Sequence, residues 1–153
     1  MSKVTGDFSA IKGVLDALKN ATGDELQVGW FESAKYDDNT PVAGVAAVQE
    51  FGSNGIPPRP FFRPAIEDNK DSWAKLVEQG AKAMLTGNTS MNDVLNGLGL
   101  TVQADVKNAI VSGDHLALSP VTLAIRRSKG NTNTDPLRDT GLMLATITYE
   151  VTS

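Results

Sequence analysis

Between Glu50 and Ile66 the chain reads EFGSNGIPPRPFFRPAI, with prolines at 57, 58, 60 and 64. Proline fixes φ and has no backbone N–H, so this run is expected to form neither an interior helix nor a central strand. Regular structure must be built on either side of it. The same run nevertheless holds three of the five phenylalanines of the chain, Phe51, Phe61 and Phe62, too much apolar surface for an ordinary solvated linker. One reading is a Pro-stapled loop tucked over the core; the other is a projecting interface loop, since aromatics and arginine dominate binding hot spots. The two are compatible if one ring faces in and the other out. The residue before each proline is pushed toward extended backbone, and in an extended segment side chains two apart share a face. PRPFFRP therefore predicts Arg59, Phe61 and Arg63 pointing together at a partner, with Phe62 turned into the core.

The flanking segments read as a mixture of helices and strands. Phe8 to Ala21 carries Phe8, Ile11, Val14, Leu15 and Leu18 on one helical stripe,. ELQVGWFES, from Glu25, alternates as a strand with Leu26, Val28 and Trp30 on one side,. After a polar turn, Thr40 is expected to cap a helix with Pro41 at its first position, running to Phe51 and stopping at Gly52. Its small residues, Ala43, Gly44, Ala46 and Ala47, suit close approach to a neighbour. A helix is expected from Ala65 to Gly87, with Ile66, Trp73, Leu76, Val77, Ala81 and Met84 inward. Another begins at Ser90, where Ser90 and Asp93 have capping-box spacing, and carries Val94, Leu98, Val102, Val106 and Ile110 at steps of four. Gly97 and Gly99 within it imply a kink or close packing. Ser119-Pro120 opens a further helix ending near the basic cluster Arg126, Arg127 and Lys129. Asn131 to Thr134 is a polar run with nothing apolar to bury, so Gly130–Asp135 is expected to be mobile. A turn at Asp139-Thr140-Gly141 leads into a closing strand, ATITYEVTS, with Ile147, Tyr149 and Val151 on one face. The expected fold is one α+β domain over residues 1–153. It has three or four helices on a small, mostly antiparallel sheet and a projecting Pro-rich loop.

Composition removes several classes of function. With 153 residues, 41% of them hydrophobic, the chain can bury a core as one domain. It has no cysteine, hence no disulfide framework or thiolate metal site, which fits a reducing compartment. MSKVTGDFSAIKGVLDALKN holds no long apolar run, so no signal peptide is expected, and no stretch has the length of a membrane span. A net charge of −4 argues against bulk attraction to nucleic acid or anionic membranes. His115 is the single histidine; beside Asp114 it has acid–base potential, but a loop residue is the simpler reading. Glu67 to Asp71, EDNKD, lacks EF-hand spacing and suits an acidic helix start. No Walker loop, HExxH or GxGxxG is present. No catalytic, metal-binding or cofactor-binding residue is assigned, and no enzyme activity is expected.

Three blocks, in order, resemble one family. AAVQEFGSNGIPPRPFFRPAI (Ala46–Ile66), LSPVTLAIRRSKG (Leu118–Gly130) and PLRDTGLMLATITYEV (Pro136–Val151) are similar to blocks of the bacteriophage tail-completion and neck proteins, also labelled virion morphogenesis proteins. The matching residues are Glu50, Phe51, Gly52, Pro58, Arg59, Pro60, Phe61, Arg63, Pro64, Asp139, Thr140 and Gly141. Gln49 stands where many relatives have His, and Ala145-Thr146 where many have an Asn-Ser-type pair. The resemblance implies a non-catalytic virion protein of the phage neck, assembled in the host cytoplasm. Such a protein forms a ring, commonly sixfold, and joins the tail tube or terminator to the head-closure connector, with contact to DNA in the lumen an open point. Phe51, Arg59, Pro60, Phe61, Arg63, Arg126, Arg127 and Lys129 are the candidate interface residues. The helix Pro41–Phe51 is a candidate for one side of a head-to-tail contact. The competing reading is a monomeric adaptor that docks a partner through its Pro/Phe/Arg loop.

Overall fold

A computed structural model describes residues 23–152; the expected helix from Phe8 to Ala21 lies outside them. The described elements are β1 (Glu25–Gly29), α1 (Val42–Phe51), α2 (Phe62–Leu85), α3 (Met91–Ser112), α4 (Pro120–Ser128), α5 (Leu142–Thr146) and β2 (Thr148–Thr152). The architecture is α+β, with five helices among the described residues and one two-stranded antiparallel sheet, β1 against β2. The register pairs Leu26 with Val151 and Val28 with Tyr149. These four side chains are half-buried, while Gln27, Glu150 and Thr152 face solvent, the alternation that a sheet with one covered face requires.

α3, the second helix of the α2–α3 hairpin, covers that face, and α2 packs on α3. Ser90 caps α3 through a capping box: its hydroxyl accepts from the Asp93 N–H, and the Asp93 carboxylate accepts from the Ser90 N–H. Glycine sets how closely the layers meet. A Cβ on Gly99 would run into the Tyr149 ring of β2, and one on Gly80 of α2 into the Val94 side chain. Close packing is therefore the role of Gly99. The Trp73 indole of α2 donates to Asp105 Oδ2 of α3 at 2.7 Å, and Gln103 Nε2 donates to the Ile147 carbonyl at 3.1 Å. α2 packs chiefly against a single neighbour, α3, which Trp73 and Gly80 meet, and Ile66, Leu76, Val77 and Ala81 stay exposed. The expectation that they point inward does not hold.

The buried core gathers Val42, Ala46, Phe61, Ala65, Val106, Ile110, Leu137, Met143 and Ile147. Trp30 packs edge-on to Phe61 with centroids 5.8 Å apart, and its indole donates to the Met143 carbonyl at 2.8 Å. Two boundaries differ from expectation. The Val42 N–H is taken by the Ala34 carbonyl at 3.0 Å, which holds Pro41 extended (ψ 130°). Pro41 is thus the residue before the helix, and Thr40 is not the cap. Near the C-terminal end, the closing strand expected from Ala145 begins only at Thr148, because the helix that follows the left-handed Gly141 (φ 77°) runs through Ala145 and Thr146.

Candidate functional site

The Pro-rich run does not project as a whole. α2 starts at Phe62 rather than after Pro64, which places Pro64 in its first turn. A helix begins with four N–H groups that have no partner within it. Here those positions are Phe61, Phe62, Arg63 and Pro64. The Glu50 carboxylate, at the end of α1, accepts from the Phe61 N–H (2.8 Å), the Phe62 N–H (2.9 Å) and the Arg63 N–H (3.2 Å). Proline has no N–H to satisfy, so its place in the first turn costs nothing. The Arg63 guanidinium closes the arrangement, with Nε on Glu50 Oε1 at 2.8 Å and Nη2 on the Glu50 carbonyl at 3.1 Å. Burial pushes the Glu50 carboxyl up, but the bonds from the Arg63 side chain and the three N–H groups outweigh it and hold the group below its ordinary value of 4.5,.

This staple reverses the expected facing of the run. Phe61, expected to meet a partner, is 1% exposed and lies in the core. Phe62, expected inward, is only half-buried. The cause is the helical start at Phe62: alternation between faces applies to extended backbone, and the chain leaves that state at Phe61. Arg59 is also buried rather than outward. It donates from Nε to the Leu116 carbonyl at 2.7 Å and from Nη2 to the Ala117 carbonyl at 3.2 Å, which ties the run to the segment before α4. Pro60 is exposed. Phe51 is 67% exposed, with the Arg63 guanidinium 5.1 Å from its ring centroid.

The basic cluster separates in the same way. Arg127 and Lys129 are exposed, but Arg126 is buried. Its Nη1 donates to the carbonyls of Asn133 (3.1 Å) and Asp135 (2.9 Å), and its Nε lies 3.1 Å from Asp139 Oδ1. Asn131 Nδ2 donates to both the Asp139 carbonyl and its Oδ1, and Asn133 Nδ2 to the Arg138 carbonyl. The segment expected to be mobile for want of apolar side chains is therefore held by polar ones. Sequence reasoning counted only burial; the signal it passed over was asparagine, whose amide and carbonyl bridge backbone groups in turns. The same bracket holds Leu137 at φ 62°, unusual for a residue with a Cβ, with its side chain in the core. Asp139 pairs with Arg126, and the Thr140 hydroxyl accepts from the Leu142 N–H.

Between α1, the Gly52–Pro58 turn, α4 and the Asp139–Gly141 turn runs an open groove of about 670 Å³. Val45, Gln49, Arg59 and Arg126 are among its lining residues, and Ile56, Leu116 and Ile125 leave apolar surface exposed in it. Burial and then the carboxylates of Asp139 and Asp38 push the Tyr36 hydroxyl up; Arg59, Arg126 and Lys129 line the same groove. His115 sits outside it, with Nε2 2.9 Å from the Ala109 carbonyl. Among the described residues no group of three or more His, Cys, Asp and Glu side chains is placed to hold a metal ion, and no helix is long and apolar enough to cross a membrane.

No protein-family model matches the chain, and neither the curated proteins nor the solved structures include a match to it.

Proposed function

We propose that the chain is a structural protein of the phage neck. In this reading it is a non-catalytic, ring-forming tail-completion or head–tail joining component that links tail tube to head connector, resident in the virion. One observation carries the reading. The first of the three blocks that resemble this family lies about fifty residues before the other two, yet all three meet in one groove: Arg59 from the first, Ser119 and Arg126 from the second, Asp139, Thr140 and Gly141 from the third. A ring also requires two unlike surfaces on each subunit. α1 offers one in its uncharged outer face, Ala43, Gly44, Ala47 and Phe51; the groove offers another. The projecting Arg59–Phe61–Arg63 face expected to serve head–tail joining is not formed, so the neck reading leans on the groove and α1 rather than on that face, and a monomeric adaptor that docks a partner through the exposed parts of the loop is the alternative.

The test is genetic and visual. Deleting the coding sequence from the phage that carries it is expected to leave filled heads and finished tails that do not join, with joining restored by the intact chain. Immunogold label against the protein should fall at the neck of wild-type particles. Normal joining after deletion, or label confined to another part of the particle, would refute the proposal.

A further inference from the structure

We propose that the groove binds an extended peptide of a partner protein, and that Arg59 receives a carboxylate of that peptide, an aspartate or glutamate set between apolar residues. The proposal goes beyond the neck reading and does not depend on it.

Arg59 is a buried cation without a counter-ion. It is 6% exposed, yet every acceptor it has is neutral. Nε donates to the Leu116 carbonyl at 2.7 Å and Nη2 to the Ala117 carbonyl at 3.2 Å, while Nη1 reaches only the Gln49 side-chain oxygen at 3.4 Å. Among the described residues no carboxylate pairs with it. Carbonyls solvate a guanidinium but leave its charge uncancelled, and buried charges are ordinarily paired. The other charges of the groove have partners. Asp139 pairs with Arg126 at 3.1 Å. Asp38 accepts from the Thr40 N–H at 3.0 Å, and that bond, with a smaller contribution from the Lys129 cation, holds its carboxyl below its ordinary value. The lining sets three cations, Arg59, Arg126 and Lys129, against two carboxylates, and Arg59 is the one left over.

The free part of Arg59 has the shape of a carboxylate site. A guanidinium carries five N–H donors in one plane. The Leu116 and Ala117 carbonyls take Nε and one hydrogen of Nη2, which leaves the Nη1–Nη2 edge, covered by the long contact to Gln49 alone. Two parallel N–H groups on one edge are the fork that a carboxylate accepts bidentately. Gln49 and Ala117, the residues bonded to Nη1 and Nη2, both line the groove, so this edge opens on it. Around it Ile56, Leu116 and Ile125 expose apolar surface. One unpaired cation among apolar walls suits an acidic side chain with apolar neighbours. A polyphosphate needs a concentrated basic footprint. The groove is open and runs between α1, the Gly52–Pro58 turn, α4 and the Asp139–Gly141 turn, a course that suits a length of extended chain.

The test uses the full chain followed by NMR. Probes are the end-blocked peptide Ala-Leu-Glu-Leu-Ala, its analogue with glutamine at the centre, and inorganic phosphate. The glutamate peptide should give saturable shifts at the Arg59 Nε–H and the Ile125 methyls, and the glutamine peptide should bind about tenfold more weakly or worse. Gln49→Glu supplies the missing carboxylate from within the chain. It should raise the midpoint of thermal unfolding, because it pairs the buried charge, and weaken the glutamate peptide by about tenfold or more. A loss of binding in a variant that is more stable is not a loss of fold. Arg59→Lys, which keeps the charge without the fork, should weaken the same peptide. Equal affinity for the two peptides, no shift at Arg59 and Ile125, or tighter binding of phosphate than of the glutamate peptide would overturn the proposal; so would binding indifferent to Gln49→Glu. Binding as expected with no neck location keeps this site and removes the proposed function. Neck location without binding does the reverse.

Discussion

Glu50→Ala removes the acceptor of three helix-start N–H groups in one step. The Phe61 N–H is buried; those of Phe62 and Arg63 are partly so. Leaving a buried donor unsatisfied costs about 1–3 kcal/mol, and loss of a helix N-cap side chain about 0.5–2 kcal/mol. The two overlap at Phe61, so the expected loss is about 2–4 kcal/mol. For a chain of this length each kcal/mol lowers the midpoint by about 2–4 °C, and the drop in Tm should be roughly 5–15 °C. Arg63→Ala is the control. It removes one partner of the buried carboxylate, whose side chain is 5% exposed while that of the arginine is 59%, but Glu50 keeps its three N–H donors, so the loss should be the smaller of the two. Thermal unfolding followed by circular dichroism at pH 7 measures both. The comparison also has a pH dependence. The folded carboxyl titrates below its ordinary 4.5, so its stabilisation is complete above that value and is lost as pH falls through the folded value. The gap between wild type and Glu50→Ala should therefore narrow below pH 4.5. Equal losses in Glu50→Ala and Arg63→Ala, or a Glu50→Ala variant within 0.5 °C of wild type, would refute the capping argument.

Phe61→Ala should cost about 3–5 kcal/mol in denaturant titration, as for a buried aromatic, and Phe62→Ala less than half of that; the reverse order would contradict the facing of the two rings. Gly99→Ala should lower stability by about 1–3 kcal/mol despite its better helix propensity, because the added methyl meets the Tyr149 ring; a more stable variant would show that α3 and β2 have room to move apart. Arg126→Ala should speed amide exchange at Asn133 and Asp135, whose N–H groups are held by the side chains of Asn131 and Asn133, while the amides of α3 keep their protection; unchanged exchange at these two positions would mean that the turn holds without its arginine.

Much of the fold was legible where one local rule governs. The step-of-four stripe of α3, its capping box and the alternation of β2 each follow from a single element's own periodicity, and α4 begins at Ser119-Pro120 because both residues act within one turn. The site was less legible because its residues act across elements. Glu50 looks like a helix-end carboxylate until α2 is brought to it. Arg59 and Arg126 look like surface cations until backbone carbonyls from other loops surround them. A pattern rule built on extended backbone placed Phe61 outside, since the sequence does not mark where extension gives way to helix.

The Glu50 staple also bears on the order in which the chain can assemble. Glu50 and Phe61 are only eleven residues apart, so closing that loop costs little entropy, and Arg126 reaches Asn133 and Asp135 within nine residues. The sheet is the opposite case: Leu26 meets Val151 across nearly the whole described chain. Contacts of short separation form fastest. The stapled corner and the arginine bracket can be in place while the two strands are still apart, which makes strand pairing the closing event of folding. Slow steps should accordingly appear in probes of β1 and β2, and a chain caught midway would expose the face of α3 around Gly99 that Tyr149 finally covers.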